Sequence, residues 1–421
     1  MRKIMAFLVV LCLIITESCA YNIQKTENSV AGAVYLEDAR EIIRILEEIH
    51  PVFCDLPMFA NQPSDKYYEA KRVLLSESEK TITPEQFYRL IRRYLASLND
   101  LHTWVDVGGP VLPIPLYWST EGLYLEPCEY ARSGAYILDI GGVSIEEIGL
   151  QIDEMYPHEN ESSRFEQRKN FVVKKNVLRS VGVGVLLDQE QVDVHLFHVS
   201  GDEKTVAMSF VKENDRPLPI PTKSFECSII SNKSTALIVA GVLDTDVHWK
   251  SMKIFLEEAL NNGIKNVIID LRMCPGGSSN VWDSVLAIMH MRYGSGGKIL
   301  RNSINGSGYV YARECLNAEP NRDINLILLT SERTSSGAMF LVTAVKDANL
   351  GLIVGREPGN NPSFAAGSPQ YVLPVSSARY YVSQYYYVRP NPENDGNPLV
   401  DIYVAYGDDA LEVALEMLRK S

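Results

Sequence analysis

The chain has 421 residues, 46% of them hydrophobic and 22% charged, and a formal net charge of −13 at pH 7. That composition is globular and long enough for two or three domains. The acidic excess excludes a nucleic-acid binder or a protein drawn to an anionic bilayer, since both need a basic face.

The first twenty residues, "MRKIMAFLVVLCLIITESCA", join a basic pair to a short apolar stretch and end on Ser18-Cys19-Ala20. This is the pattern of a secretory signal with cleavage after Ala20, so the mature protein is expected to be secreted or extracytoplasmic. A lipidated Cys19 is the alternative, but Thr16-Glu17-Ser18 departs from the Leu-small-small context of such sites. No membrane anchor is expected.

Residues 35–107 predict a small helical domain. "YLEDAREIIRILEEIHP" and "TPEQFYRLIRRYLASLND" carry apolar residues at three-and-four spacing, and Thr83-Pro84 supplies an N-cap and a first-turn proline. Residues 108–215 predict an α+β middle region in which "GAYILDIGGVSIEEI" reads as strand, Gly-Gly turn and helix. His195 and His198 lie on a strand-like alternation that turns their rings to opposite faces, so no metal site is expected there. The proline-rich "RPLPIPTKS" reads as a linker.

Beyond residue 220, the apolar runs "TALIVAGVLD", "KNVIIDLR" and "INLILLTSE" alternate with the helical segments "HWKSMKIFLEEALNNG", "SNVWDSVLAIMHMRY" and "SGAMFLVTAVKDAN". Strands covered on both faces and alternating with helices imply a parallel sheet, with ligands beyond its carboxyl ends. Two of those ends carry unusual residues: Pro275-Gly276-Gly277 after "DLRMC", and Ser335-Ser336-Gly337 after "TSERT". Glycine lets backbone amides approach a substrate, and a helix start leaves its amides unpaired. Side by side, the two loops would surround a serine with N–H donors. The simpler reading is that Thr334, Ser335 or Ser336 caps the helix. Cys54, Cys128, Cys227, Cys274 and Cys315, an odd set at irregular spacing, describe no disulfide framework.

The ordered set "LNDLHTWVD", "VIIDLRMCPGG", "LLTSERTSSGAMFLVTAVKD", "VGREPGNNP", "LPVSS" and "ENDGNPLVDIYV" resembles the C-terminal-processing, or tail-specific, serine peptidases. That family also holds the tricorn protease core and interphotoreceptor retinoid-binding protein. The resemblance implies a crotonase- or Clp-protease-like α/β peptidase domain over 220–421, a degenerate PDZ-like middle region, and peptide or unfolded-protein substrates. No metal or cofactor is implied. The family's Thr-x-Ser-Ala-x pattern puts the nucleophile on Ser336 and one oxyanion amide on Gly337. Its Arg-x-Asn-x-Gly-Gly loop puts the other on Gly276 or Gly277. Where one branch has a lysine base this chain has Asn361, so a Ser–Lys dyad is not expected. The other branch's histidine and glutamate fall on His102 and Glu393, giving Ser336, His102 and Glu393 as nucleophile, base and orienter. His102 could instead close a helix C-terminus, Glu393 could be a solvated loop acid, and Asp100 and Asp106 are alternative orienters. Met339 stands where the family has a glutamate, Cys274 where it has the loop asparagine, and Leu101 where the tricorn core has a serine. These departures keep a rival open, a catalytically inactive binding relative of the same fold. An acyl-CoA enzyme of the crotonase type is disfavoured by the absence of a basic patch for the nucleotide.

Overall fold

The computed structural model describes residues 33–59, 63–106, 108–185, 188–198, 200–213, 225–230, 234–241, 246–291, 296–301, 308–312 and 323–420. The signal-like segment 1–20 with Cys19, the linker at 216–224 and Cys315 lie outside them.

The N-terminal part packs helices α1 (Leu36–Ile49), α2 (Asp65–Ser78) and α3 (Pro84–Ala96). Thr83 and Gln86 form a reciprocal capping box at the start of α3, as the Thr-Pro pair foretold. Ile42 and Leu46 of α1, Tyr67 and Leu74 of α2, and Phe87 and Ile91 of α3 share one core. α3 ends at Ala96 with Ser97 as its C-cap, Asn99 beyond it adopts a positive φ of 52°, and the turn that follows leads into the short strand β1 (Trp104–Val105).

The middle part is built on β2 (Leu116–Ser119), β3 (Gly122–Leu125), β4 (Ala135–Ile140), β5 (Val143–Ser144), β6 (Gln191–His198) and β7 (Glu203–Ser209), with α4 (Ile145–Met155), α5 (Glu161–Val172) and α6 (Lys175–Ser180) between β5 and β6. All its strand pairings are antiparallel. Gly141 and Gly142 make the β4–β5 turn at φ 58° and 78°, the left-handed region that glycine enters without a Cβ clash. On the sheet surface, His195 meets Asp139 at 3.0 Å and Glu203 at 3.3 Å.

In the C-terminal part come β8 (Phe225–Ile230), β9 (Thr235–Ala240), α7 (Asp246–Asn261), β10 (Asn266–Asp270), α8 (Ser279–Ile288), β11 (Gly297–Arg301), β12 (Gly308–Ala312), β13 (Asn325–Thr330), α9 (Gly337–Asp347), β14 (Gly351–Gly355), β15 (Phe364–Ala366), β16 (Gln370–Val372), β17 (Arg379–Tyr381), β18 (Tyr385–Val388), β19 (Ile402–Tyr403) and α10 (Ala410–Lys420). The main sheet runs β19-β14-β13-β10-β9-β8 and is parallel except for β8, which pairs antiparallel at one edge.

The apolar runs have a direct cause, since both sheet faces are covered. Ile238, Val267, Ile269 and Leu328 pack with Met252, Leu256, Val285 and Leu341 of α7, α8 and α9. Leu237, Ile268, Ile327 and Leu329 pack with Ala410, Ala414 and Leu415 of α10. Along its other side α9 meets the antiparallel sheet β12-β11-β18-β15. There Phe340 contacts Phe364 and Tyr387, and Thr343 bonds the Tyr387 hydroxyl at 2.8 Å.

The three parts interlock. β1 pairs with β17, and β17 with β16, so that a C-terminal ribbon completes the helical core with Leu373, Ala378, Tyr380 and Val382. Asp38 of α1 accepts the N–H groups of Val375 and Ser376 at 2.7 and 2.8 Å. The ribbon therefore brings the turn after α3 against the domain that carries Ser336.

Candidate active site

Ser336 sits at the mouth of α9 with φ 52° and ψ −122°, a conformation that costs a non-glycine residue of order 1–3 kcal/mol. Two contacts hold it there. Its N–H donates to Asn360 Oδ1 at 2.6 Å, and the preceding Ser335 N–H donates to the Cys274 carbonyl at 3.1 Å. The helix-cap reading fails, since no side chain caps α9. Thr334 Oγ1 bonds the Leu271 carbonyl at 2.8 Å, and Ser335 Oγ bonds the Pro275 carbonyl at 3.1 Å. Ser336 Oγ makes no hydrogen bond among the described residues.

The two glycine loops are pressed together as expected. A Cβ on Gly276 would lie 2.6 Å from Ser336 Cβ and 2.7 Å from the Gly337 nitrogen; one on Gly337 would lie 2.1 Å from the Gly277 carbonyl oxygen. That close approach leaves no room for a side chain at position 337. Gly276 and Gly277, at φ 118° and 126°, adopt conformations open to glycine. Cys274 is buried in the same loop, where burial pushes its thiol up to about 11, so it behaves as packing. Met339 is a core residue of α9.

His102 stands in the turn between α3 and β1, which Asp100 organises. Asp100 accepts the His102 N–H at 2.8 Å and the Thr103 hydroxyl, and it meets His50 Nε2 at 3.0 Å. The Thr103 hydroxyl in turn accepts the Ser383 N–H at 3.0 Å, fixing the turn to the C-terminal domain. The imidazole stacks on Phe364, centroids 5.6 Å apart. Its Nδ1 is 3.9 Å from Asp100 Oδ1 and has no hydrogen-bond partner among the described residues. Burial lowers the His102 pKa, opposed by the Asp100 charge and a bond to the Ala365 backbone. For Asp100, burial acts to raise the pKa, but His50, His102 and Thr103 outweigh it and hold the carboxyl well below its usual range.

Glu159, which the sequence reading did not name, completes the cluster. Its carboxyl accepts the N–H of Asn361 at 2.9 Å and of Leu101 at 3.4 Å. Burial, and then the Asp100 charge, push its pKa up to about 8. One ligand-type atom from each of Asp100, His102 and Glu159 lies within 4.8 Å of the other two, a donor set of the kind that can hold a cation. Both carboxylates, however, already accept hydrogen bonds from the protein.

Glu393 is placed differently from its expected role. It lies exposed in a 3₁₀ turn, Pro392–Asn394, and makes no hydrogen bond to His102 among the described residues. The reason is the anchoring of that turn from behind: Arg389 bonds the Asn394 carbonyl at 2.8 Å and is paired in the interior with Asp347 at 2.6 Å. The carboxylates near the imidazole are Asp100 and Glu159. Asp106 points elsewhere, to Arg379 at 2.8 Å. At Asn361 the main-chain N–H, bonded to Glu159, is what joins the cluster. The sequence held one cue to Glu159: Asn160 and Ser163 form the N-terminal capping box of α5, which fixes the residue just before it.

Residues 241–395 match the sequence profile of peptidase family S41. Among solved structures, the chain is similar to mature CPAF complexed with lactacystin, at 12% identity and a TM-score of 0.64 over 92% of this chain and 97% of that one. It is also similar to mature CPAF in a second structure, at 11% identity and a TM-score of 0.62 over 88% and 91% of the two chains. These likenesses establish a shared fold. No curated protein matches the chain in sequence. Over residues 241–395 the chain thus matches peptidase family S41, and that match supports a serine-type peptidase.

Proposed function

We propose that the chain hydrolyses peptide bonds in peptides or unfolded proteins, with Ser336 as nucleophile and His102 as its general base. The observation that carries this reading is the state of Ser336. It is held at φ 52°, its hydroxyl is committed to no partner among the described residues, and glycine backbone is packed around it. Ser336 Oγ would add to the substrate carbonyl carbon as its proton passes to His102. The oxyanion would accept N–H groups of Gly337 and of Gly276 or Gly277. Collapse expels the amine, which takes the proton from His102 and leaves an acyl ester on Ser336. Water, losing a proton to His102, then releases the acid and restores the serine.

The orienting carboxylate in this reading is Asp100, through its grip on the histidine turn. Glu393, assigned by the resemblance, would first have to leave its exposed position. The order of elements and the parallel sheet support kinship with crotonase- and Clp-type domains. The strand, Gly-Gly turn and helix at 135–155 support a degenerate PDZ-like middle region. The pattern of residues 1–20 supports export.

One observation favours the rival, a binding relative without activity: no hydrogen bond joins His102 to Ser336 among the described residues. In unliganded hydrolases such contacts often tighten only around substrate. Turnover of an unfolded protein such as casein separates the two readings. Wild type should cleave it while Ser336→Ala and His102→Ala do not. Equal residual cleavage by all three would reject the reading.

A further inference from the structure

Glu159 stands where three parts of the chain meet. It lies between α4 and α5, and its own N–H donates to Ser163 Oγ at 2.9 Å, inside the capping box that Asn160 and Ser163 form. The carboxyl is thereby held on a helix start instead of on a free loop. One of its oxygens takes the N–H of Leu101, the residue before His102; the other takes the N–H of Asn361, the residue after Asn360. Asn360 in turn holds the Ser336 N–H at 2.6 Å. A second tie runs beside it, from Asn160 Nδ2 to the Pro358 carbonyl at 3.1 Å. A single carboxyl thus spans the turn of the proposed base and the loop that grips the proposed nucleophile.

We propose that Glu159 is a positioning residue of the peptidase site, setting the distance between the His102 turn and the loop that holds Ser336. The inference rests on the Ser336–His102 reading. Reactive geometry is sensitive to such spacing, since a misplacement of about 1 Å can cost on the order of 100-fold in rate.

The titratable groups that face Glu159 are Asp100 and His102 from the turn after α3, with His50 behind Asp100, and the Tyr386 phenol from β18. With its pKa pushed up to about 8, Glu159 is a neutral acid at pH 7 and gains a charge above that pH. The new anion would stand beside Asp100 and within 4.8 Å of a His102 nitrogen, where it favours the imidazolium. Wild-type kcat is therefore expected to show an inflection near pH 8 that a non-ionising side chain lacks.

The test compares wild type, Glu159→Ala and Glu159→Gln by kcat and KM on one peptide from pH 5 to 10, and by the rate at which a fluorophosphonate labels Ser336. Circular dichroism checks that each is folded. Folded Glu159→Ala should lose roughly 10- to 100-fold in kcat and labelling rate with KM changed less than about threefold. Glu159→Gln, whose amide oxygen can still accept the Asn361 N–H, should recover most of the neutral-pH kcat and lose the inflection. A folded Glu159→Ala that labels at the wild-type rate, or changes KM alone, overturns the proposal. If Glu159→Ala does not fold, Glu159→Asp, which draws the carboxyl back by one methylene, decides: kcat and labelling rate lowered with KM nearly unchanged support the proposal, and wild-type values overturn it. Wild type that fails to label would instead reject the Ser336 reading on which the inference stands.

Discussion

The backbone N–H of Ser336 donates to the side-chain oxygen of Asn360 at 2.6 Å, and Asn360 is only 1% exposed. This bond holds a non-glycine residue at a positive φ of 52°, where its side chain does not cap the helix it precedes. Asn360→Ala leaves the amide unpaired, a loss of about 1–3 kcal/mol for a buried donor. The variant is expected to fold, with kcat down roughly 10- to 100-fold and KM nearly unchanged. Steady-state kinetics check this.

Gly276 touches the serine it would serve. A methyl group there would meet Ser336 Cβ at 2.6 Å on a backbone at φ 118°. Gly276→Ala should therefore push the two loops apart and misdirect the oxyanion donors. Losing one such donor costs roughly 10²- to 10³-fold in kcat, which is the drop expected in a peptide assay.

Asp100 and Glu393 compete for one role, and mutation can rank them. Asp100 is buried and bonded to His50, Thr103 and the His102 N–H, whereas Glu393 is exposed. Asp100→Asn should cost more kcat than Glu393→Gln, by about tenfold or more on the magnitudes typical of an orienting carboxylate. The reverse order in the same assay would give the orienting role to Glu393.

Burial holds the His102 pKa below the ordinary value of 6.5, so the neutral, base-competent imidazole survives as the solution is acidified past that point. Activity carried by this base is retained as pH falls and lost only on passing through the lowered pKa. The acid limb of kcat/KM should have its midpoint below pH 6.5. A midpoint above it would point to another base.

Much of the framework was legible because its causes are local or periodic. The Thr83-Pro84 start of α3 rests on contacts within one turn. The strands at 235–240, 266–270 and 325–330 show as apolar runs because helices cover both faces. Ser336 and the two glycines, which could equally have been a cap and a tight turn, stood out because of the ordered motifs in which they sit. By contrast, the ribbon 370–381 that completes the helical core is short and mixed in polarity, and only its long-range pairing with β1 makes it structure. Asn360 and Glu159 were missed for the same reason, since their partners lie 24 and 202 positions away. Glu393 follows the family's spacing, yet spacing cannot show that Arg389 and Asp347 anchor its turn from behind and leave it facing solvent.

The most direct measurement is intact mass, followed by peptide mapping, after treating the protein with a fluorophosphonate. A reactive serine paired with a base takes up one phosphonyl group, on Ser336, in wild type and not in Ser336→Ala, and His102→Ala slows the reaction by orders of magnitude. Equal labelling of wild type and Ser336→Ala, or none in a wild type shown to be folded, would contradict the assignment of Ser336 as nucleophile.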